Sequence, residues 1–372
     1  MTSAGAGVAS GSPGAVRIGT RGSTLALTQT GMVADALRRL AGLAADDVEL
    51  VRVRTDGDRL TGSLAALGGA GLFVAALREA VLDGRCDLAV HSLKDLPTLP
   101  ATGLVVAAVP EREDPRDVLC ARDGLRLAEL PEGARVGTGS PRRAAQLRVQ
   151  RPDLDVVDIR GNVDTRLGRV AGSGGPGDLD AVVLAAAGLA RLGRLDVATE
   201  MLDPTVMVPA PGQGALAVEC RTGVEGTLLG GALAALDHLP TRLAVTAERA
   251  LLTALEAGCA APVGALGHVT DGSSDSWHLH AAHLTVDAVV CSPDGVEQLR
   301  TSASVRLPED REGRLAAARD LGEQAAQHLL DAGAGRLAAL GPALDTGRRT
   351  GPPSTMPEGR SSAAGAPRPG AS

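Results

Sequence analysis

Lys94 is the only lysine in the chain, and it stands beside a carboxylate in the run His91-Ser92-Leu93-Lys94-Asp95-Leu96-Pro97. An ammonium is a compact point charge that enters places a planar guanidinium cannot, so this exception points to a position shaped for it. The remaining cations are arginines, and several recur at one kind of junction. Arg21 follows an apolar run with Ser23 just beyond; Arg142 and Arg143 follow Gly137-Thr138-Gly139-Ser140-Pro141; Arg160 precedes Gly161-Asn162, with Arg166 a helical turn further on. Arg191 closes Ala187-Gly188-Leu189-Ala190. A proline at the first helical position with free N–H groups beside it makes an anion site, and guanidinium forks add bidentate recognition of carboxylate or phosphate. Taken singly, each arginine is as readily a solvated surface charge. Arg142 and Arg143 are adjacent and cannot share a helix face, although both can reach around a helix start. Cys259 adds a thiol in the Gly- and Pro-flanked segment Glu256 to Gly264. It reads either as a small buried hydrophobe or as an exposed attachment point.

These residues need a scaffold that gathers strand ends. Strands are expected at Val16 to Thr20, Val48 to Val53, Cys86 to Val90 and Leu104 to Val109, with helices from Ser23 and over Phe73 to Leu82. After Pro115 the rhythm repeats: strands at Arg135 to Gly137, Val156 to Ile159 and Ala181 to Leu184, helices at Pro141 to Val149, Val163 to Val170 and on to Leu192. Alternation of this kind predicts two doubly wound α/β domains, in which ligands bind at the C-terminal ends of the strands. A strand at Ala215 to Glu219 and a helix over Thr241 to Leu255 follow. Antiparallel strands at Val263 to Val269, Trp277 to Val289 and Gln298 to Val305, then a helix from Arg314 to Leu330, predict a smaller α+β domain. The expected limits are a tail at 1–14, a first domain at 15–110 with 211–232, a second at 111–210, a third at 233–340 and a tail at 341–372.

Composition excludes several classes. A net charge of -7 and a near absence of aromatics, with one Phe, one Trp and no Tyr, argue against a nucleic-acid binder and against ligand recognition by stacking. The segment to Gly14 has neither a basic start nor a long apolar stretch, so no signal peptide or membrane anchor is expected, and a cytoplasmic location is. The five cysteines form no CxxC pair and no cluster with histidine, so neither a disulfide framework nor a metal site is expected.

From about Arg17 to Leu337 the chain resembles the porphobilinogen deaminase (hydroxymethylbilane synthase) family. The resemblance is carried by Arg17-Ile18-Gly19-Thr20-Arg21-Gly22-Ser23, Gly71-Leu72-Phe73, the run around Lys94, Glu111-Arg112-Glu113-Asp114-Pro115-Arg116-Asp117, Arg160-Gly161-Asn162-Val163-Asp164-Thr165-Arg166, Gly212-Gln213-Gly214-Ala215 and Gly258-Cys259. It implies two periplasmic-binding-protein-like domains with a cleft between them and a smaller third domain. It also implies a dipyrromethane cofactor held by Cys259 through a thioether, onto which four porphobilinogen units are joined with loss of ammonia before hydrolysis releases hydroxymethylbilane. Asp95 matches the family's catalytic carboxylate. Lys94, Ser140, Arg142, Arg143, Arg166 and Gln213 match cofactor contacts; Arg21, Ser23, Thr138, Arg160 and Arg191 match substrate contacts. A monomer acting on porphobilinogen, with no nucleic acid or membrane partner, is what the resemblance implies. One departure stands out: relatives usually carry Gly-Gly-Lys-Gly where this chain has Gly68-Gly69-Ala70-Gly71, and Ala66 stands where some have a basic residue. The alternative from residues alone is a non-catalytic cytoplasmic protein that closes two such domains on a dicarboxylate.

Overall fold

The computed structural model describes residues 15–53, 71–258, 261–270, 282–338 and 340. Its first elements are β1 (Val16–Thr20), α1 (Thr24–Ala41), β2 (Val48–Arg52), α2 (Gly71–Leu82), β3 (Leu88–Ser92) and β4 (Leu104–Ala108). Then come β5 (Asp117–Ala121), β6 (Arg135–Gly137), α3 (Pro141–Gln150), β7 (Asp155–Val157), α4 (Val163–Leu167), β8 (Ala181–Ala185), α5 (Ala186–Arg191) and β9 (Glu200–Met201). The last part holds β10 (Leu216–Arg221), α6 (Leu228–Leu236), α7 (Leu239–Ala254), β11 (Val263–Thr270), β12 (His283–Cys291), β13 (Gln298–Arg306) and α8 (Arg311–Asp331).

The first sheet has the order β2-β1-β3-β10-β4 and the second the order β7-β6-β8-β5-β9. They are wired alike. In each, the first three strands are parallel, and the fourth, which the chain enters on arriving from the other sheet, is antiparallel. Both sheets are covered on both faces. Val33 and Leu37 of α1 with Leu233 of α6 pack on Ile18, Leu88 and Val218, while Leu77 and Val81 of α2 pack on Ala89 and Leu104. In the second sheet Leu147 of α3 meets Leu119 and Val183, and Leu189 of α5 meets Val118 and Val182. The two doubly wound α/β layers expected from the alternation are present.

Local chemistry explains the helix starts. Ser23 Oγ accepts from Ala26 N at 3.3 Å and caps α1; Ser140 Oγ accepts from Arg143 N at 3.5 Å, with Pro141 next, and caps α3. Several expected bounds shift. The strand read from Cys86 lies at Leu88–Ser92, the helix from Val163 stops at Leu167, and the strand read from Trp277 is found at His283–Cys291, with 277–281 outside the described residues. β5 and α6 were not expected: β5 is a five-residue run behind a Pro-flanked charged segment, and α6 carries Gly230-Gly231 at its centre, which reads as a turn.

The third sheet, β11-β12-β13, is antiparallel, and α7 and α8 bury Leu243, Leu251, Leu321 and Leu329 against its Leu284 and Val286. α7 also holds the two crossovers between the large sheets. Glu248, fully buried on α7, accepts from Gly212 N at 2.6 Å, from Gly267 N at 2.7 Å and from Arg112 Nη1 at 2.6 Å. Arg112 in turn donates from Nε to Gln213 O at 2.8 Å. Gly212 and Gly214 have φ of +75° and +87°, and a Cβ at Gly214 would lie 2.3 Å from Glu113 O. No other residue fits that turn, because positive φ and backbone contact exclude a side chain together.

A buried carboxylate with this many partners makes a testable stability claim. Glu248→Gln places an amide donor among N–H groups and leaves Arg112 without its counter-ion, so it should lower the unfolding free energy by about 3–5 kcal/mol, the scale for a broken buried pair. A urea titration reads the loss as a lower midpoint; an unchanged midpoint would mean the crossovers are held by something else.

Candidate active site

The candidate residues collect where the sequence put them, at the C-terminal ends of parallel strands. Lys94 and Asp95 lie in the 3₁₀ turn Leu93–Asp95 directly after β3, Arg21 after β1, Arg142 and Arg143 at the start of α3 after β6, and Arg160 after β7. Arg166 lies in α4, and Arg191 ends α5, which follows β8.

What organises the cluster is a residue given no role from the sequence, Asp117, the first of β5 and fully buried. Arg142 Nη1 donates to its Oδ2 at 2.7 Å, Arg143 Nε to its Oδ1 at 2.9 Å and Gln213 Nε2 to Oδ1 at 2.8 Å. Adjacent arginines that cannot share a helix face therefore converge on one carboxylate from the helix start. Burial alone would raise the Asp117 carboxyl, but the two guanidiniums and the hydrogen bonds from Arg142 and Gln213 overcome it and hold the group well below the usual carboxylate range. A lone aspartate heading an apolar strand, Asp117-Val118-Leu119-Cys120-Ala121, was the available signal, since such a carboxylate needs a cation.

The backbone carbonyls complete the arginine shell. Arg142 Nη1 also donates to Val208 O at 2.7 Å, and Arg143 Nη1 to Val183 O at 3.0 Å. Gln146, 1 % exposed, brackets the same Val208 by donating to its carbonyl at 3.0 Å and accepting from its amide at 2.8 Å. Both arginines are themselves deeply buried, and burial lowers the Arg142 guanidinium despite Asp117.

Lys94 Nζ donates to Gln213 Oε1 at 3.3 Å, and Arg143 Nη2 reaches the same oxygen at 3.4 Å. Burial first, then the Arg143 charge, brings the Lys94 ammonium down to about 8 against the upward pull of Asp95 and Asp117. Asp95 is exposed and acts electrostatically on both Lys94 and Arg166. Arg166, half-buried, is lowered by burial and by Arg143 and Arg160, and raised by Asp158 and Asp95. Thus Lys94, Asp95, Arg142, Arg143, Arg160, Arg166 and Gln213 form one electrostatic neighbourhood.

Other residues take more local duties. Thr138, buried, accepts from Ser140 N at 3.2 Å, so the hydroxyls of Thr138 and Ser140 both shape the entry to α3, and Ser23 does the same for α1. Arg191 Nη2 donates to Gly214 O at 2.6 Å at the crossover, and Arg160 lies 3.6 Å from Asp158. Arg21 is half-buried just ahead of α1. Cys259, Ala66 and Ala70 lie outside the described residues; the exposed Gly258 immediately precedes Cys259, and β11 begins four residues after it at Val263. A groove of about 620 Å³ bounded by Val106, Val245, Arg242, Arg249 and Gln327 lies apart from this chemistry, and its Arg242 is committed to Asp237 and to the Val106 and Ala107 carbonyls. Among the described residues no group of three His, Cys, Asp or Glu side chains could hold a metal ion.

Comparison with known proteins decides the family. The model of the porphobilinogen deaminase dipyromethane cofactor binding domain matches residues 16–228, and that of the porphobilinogen deaminase C-terminal domain matches 242–331. This chain belongs to the porphobilinogen deaminase family. Porphobilinogen deaminase of Cutibacterium acnes is 57% identical over 333 residues, covering 88% of this chain and 97% of that protein. The enzyme of Leifsonia xyli is 57% identical over 330 residues, 88% of this chain and 95% of its own, and that of Thermobifida fusca 52% over 324 residues. Among solved structures, a periplasmic substrate-binding protein of an ABC transporter from Coxiella burnetii aligns with TM-score 0.37 and 15% identity over 61% of this chain and 93% of its own. These matches do not favour a non-catalytic dicarboxylate binder.

The cysteines supply a prediction for this site. Cys86, Cys120, Cys220 and Cys291 are all buried, and burial pushes their thiols up, Cys120 to about 12 and Cys220 and Cys291 to about 11. At neutral pH they present almost no thiolate. Iodoacetamide applied to folded protein should leave all four unmodified by peptide mass mapping and modify them after unfolding; rapid labelling of any one while folded would contradict the burial.

Proposed function

We propose that this transferase condenses four porphobilinogen molecules head to tail, with release of ammonia, onto a dipyrromethane covalently bound at Cys259, and then hydrolyses the product to hydroxymethylbilane. The observation that carries this reading is the imbalance beneath the site: Arg142, Arg143 and Lys94 share a single buried anion, Asp117, which leaves positive charge unspent at the ends of β3 and β6. Each pyrrole bears an acetate and a propionate, so this surplus suits a growing polycarboxylate. The same chemistry fits the dipyrromethane, and the exposed chain at Gly258 suits a tether at the next residue. When bound, the dipyrromethane would supply the electron-rich pyrrole carbon to which the first new ring is joined.

The chain's own residues then divide the labour. Arg142, Arg143, Arg166 and Lys94 would hold the carboxylates of the cofactor rings, and Ser140 and Thr138 fix the helix start that presents the arginines. Gln213, with both ends of its amide committed inside the protein, acts through Lys94 and Arg143 and not by direct contact. Asp95, exposed at the strand end, would stabilise the positive charge that develops on the pyrroles as ammonia leaves and as each carbon–carbon bond forms. Arg21, Arg160 and Arg191, with Ser23 at the start of α1, take incoming substrate and the elongating chain. Ala70 removes one loop charge that relatives often have, worth on the order of 1 kcal/mol, against the arginines that remain. The first domain spans 15–110 and 211–232, the second 111–210 and the third 233–340. A cytoplasmic monomer is part of the same reading. No helix among the described residues is long and apolar enough to cross a membrane.

Intact mass tests the attachment and the carboxylate together. Cys259→Ser should fold yet lack the dipyrromethane mass, while serine at Cys86, Cys120, Cys220 or Cys291 should retain it; retention in Cys259→Ser would remove that residue from the role. Asp95→Ala should abolish turnover while keeping the covalent group, and Asp95→Glu should keep a small fraction and accumulate bound intermediates. Near-normal turnover in Asp95→Ala would take Asp95 out of the mechanism.

The arginines divide by location. Arg142→Leu and Arg143→Leu should give mainly bare polypeptide, whereas Arg21→Leu and Arg191→Leu should carry the covalent group but stall as a ladder of pyrrole additions. The same mass pattern in all four would mean a diffuse electrostatic field instead of ring-by-ring contacts.

A further inference from the structure

Gln213 is 1 % exposed and uses both ends of its amide at once. Its Nε2 donates to Pro115 O at 2.7 Å and to Asp117 Oδ1 at 2.8 Å, while its Oε1 faces Lys94 Nζ at 3.3 Å and Arg143 Nη2 at 3.4 Å. The orientation of this amide is not free. Flipped, it would put an NH₂ against two cations and an oxygen against two acceptors, four repulsive contacts in place of four attractive ones. The charge of Asp117 therefore dictates which end of Gln213 reaches Lys94.

We propose that Asp117 and Gln213 are positioning residues for the family reaction, forming a relay that carries the influence of one buried anion to Lys94 as well as to Arg142 and Arg143, so that three cations from two sheets are presented as one carboxylate-binding unit. Asp117 grips the two arginines directly. Through the amide it polarises a carbonyl oxygen toward the ammonium, and hydrogen-bonded chains of this kind strengthen one another where water is excluded. The charged groups that act on Lys94 are Asp95 on its own turn, Arg142 and Arg143 on α3 and Asp117 on β5. Asp117 is the anion joined to it by hydrogen bonds through the Gln213 amide, whose Oε1 also receives Arg143 Nη2. The relay rests on the functional reading above only for its purpose, since its geometry belongs to the protein alone.

The single lysine makes the test direct. In full-length protein grown with lysine ¹³C-labelled at Cε, the one side-chain resonance is Lys94, and its pH titration can be followed in a Cys259→Ser background so that every variant lacks the covalent group equally. That background should titrate near 8. Asp117→Asn should lower the midpoint by about one pH unit, because the ammonium loses an anion. Gln213→Met should lower it as well, and Gln213→Glu should raise it. The double variant Asp117→Asn/Gln213→Glu should return the midpoint toward the parent value, a rescue that a merely structural role would not give. If Asp117→Asn does not fold, the opposite shifts of Gln213→Met and Gln213→Glu decide. In chains that retain Cys259, Gln213→Met should also lower the fraction carrying the dipyrromethane mass several-fold. A parent chain without that mass would overturn the functional reading and leave the titration to judge the relay. A parent that carries the mass, with Lys94 midpoints equal across the Gln213 variants, would overturn the relay alone.

Discussion

Glu248 is a carboxylate with no access to water, and the arrangement of the crossovers follows from satisfying it. Leaving such a group unpaired costs several kcal/mol, so α7 packs only where Arg112 and the Gly212 and Gly267 amides can reach its oxygens. That requirement fixes the crossover into the second sheet and the crossover out of it relative to one helix. Gly212 held at Glu248 sets the turn whose next residue is Gln213, and Gln213 reaches Asp117 at 2.8 Å. Side chains about a hundred positions apart in sequence are brought within hydrogen-bond distance by two buried carboxylates, neither of which contacts solvent.

Electrostatics explains why the exceptional lysine stands where it does. Arg142 and Arg143 are permanently charged and already share one carboxylate. A third guanidinium beside them would add a charge that cannot be shed. An ammonium can adapt: burial and the nearby Arg143 charge bring Lys94 down to about 8, where a proton can be shed that a guanidinium keeps. An anion placed beside it would favour the charged form. Affinity for anions and protonation of Lys94 are thus coupled, and the coupling is built into the residue type.

The sequence disclosed the scaffold and the cations more readily than the anions that organise them. Alternating apolar runs set the period of β1, β3, β6 and β8, and helix caps at Ser23 and Ser140 marked where α1 and α3 begin, because these are local signals. β5 escaped since its four buried residues are headed by an aspartate and follow a Pro-flanked charged segment, and α6 escaped because Gly230 and Gly231 suggest a turn until α1 is seen packed on it. Lys94, Asp95, Arg142 and Arg143 stand just beyond strand ends, and Arg166 lies in the short helix α4 a turn beyond Arg160, because these positions follow from the local strand-to-helix pattern. Asp117, Glu248 and Gln146 were not assigned, because the meaning of a buried polar group lies in partners at long sequence separation, and spacing along the chain carries no trace of them.

A chain with one Phe, one Trp and no Tyr has little means of gripping aromatic rings by stacking, and charge is what its arginines and Lys94 offer instead. Charge contacts at the edge of a cleft are individually weak and screened by salt. A covalent tether changes what they have to supply: once one end of the ligand is fixed, each contact acts at high effective concentration and needs only to orient. The tether itself needs a fixed origin. α7 carries Glu248, which locks both crossovers, and Cys259 follows five residues after the end of that helix at Ala254. The helix that sets the position of Gln213, and through it the cations, is therefore also the last element in the chain before Cys259.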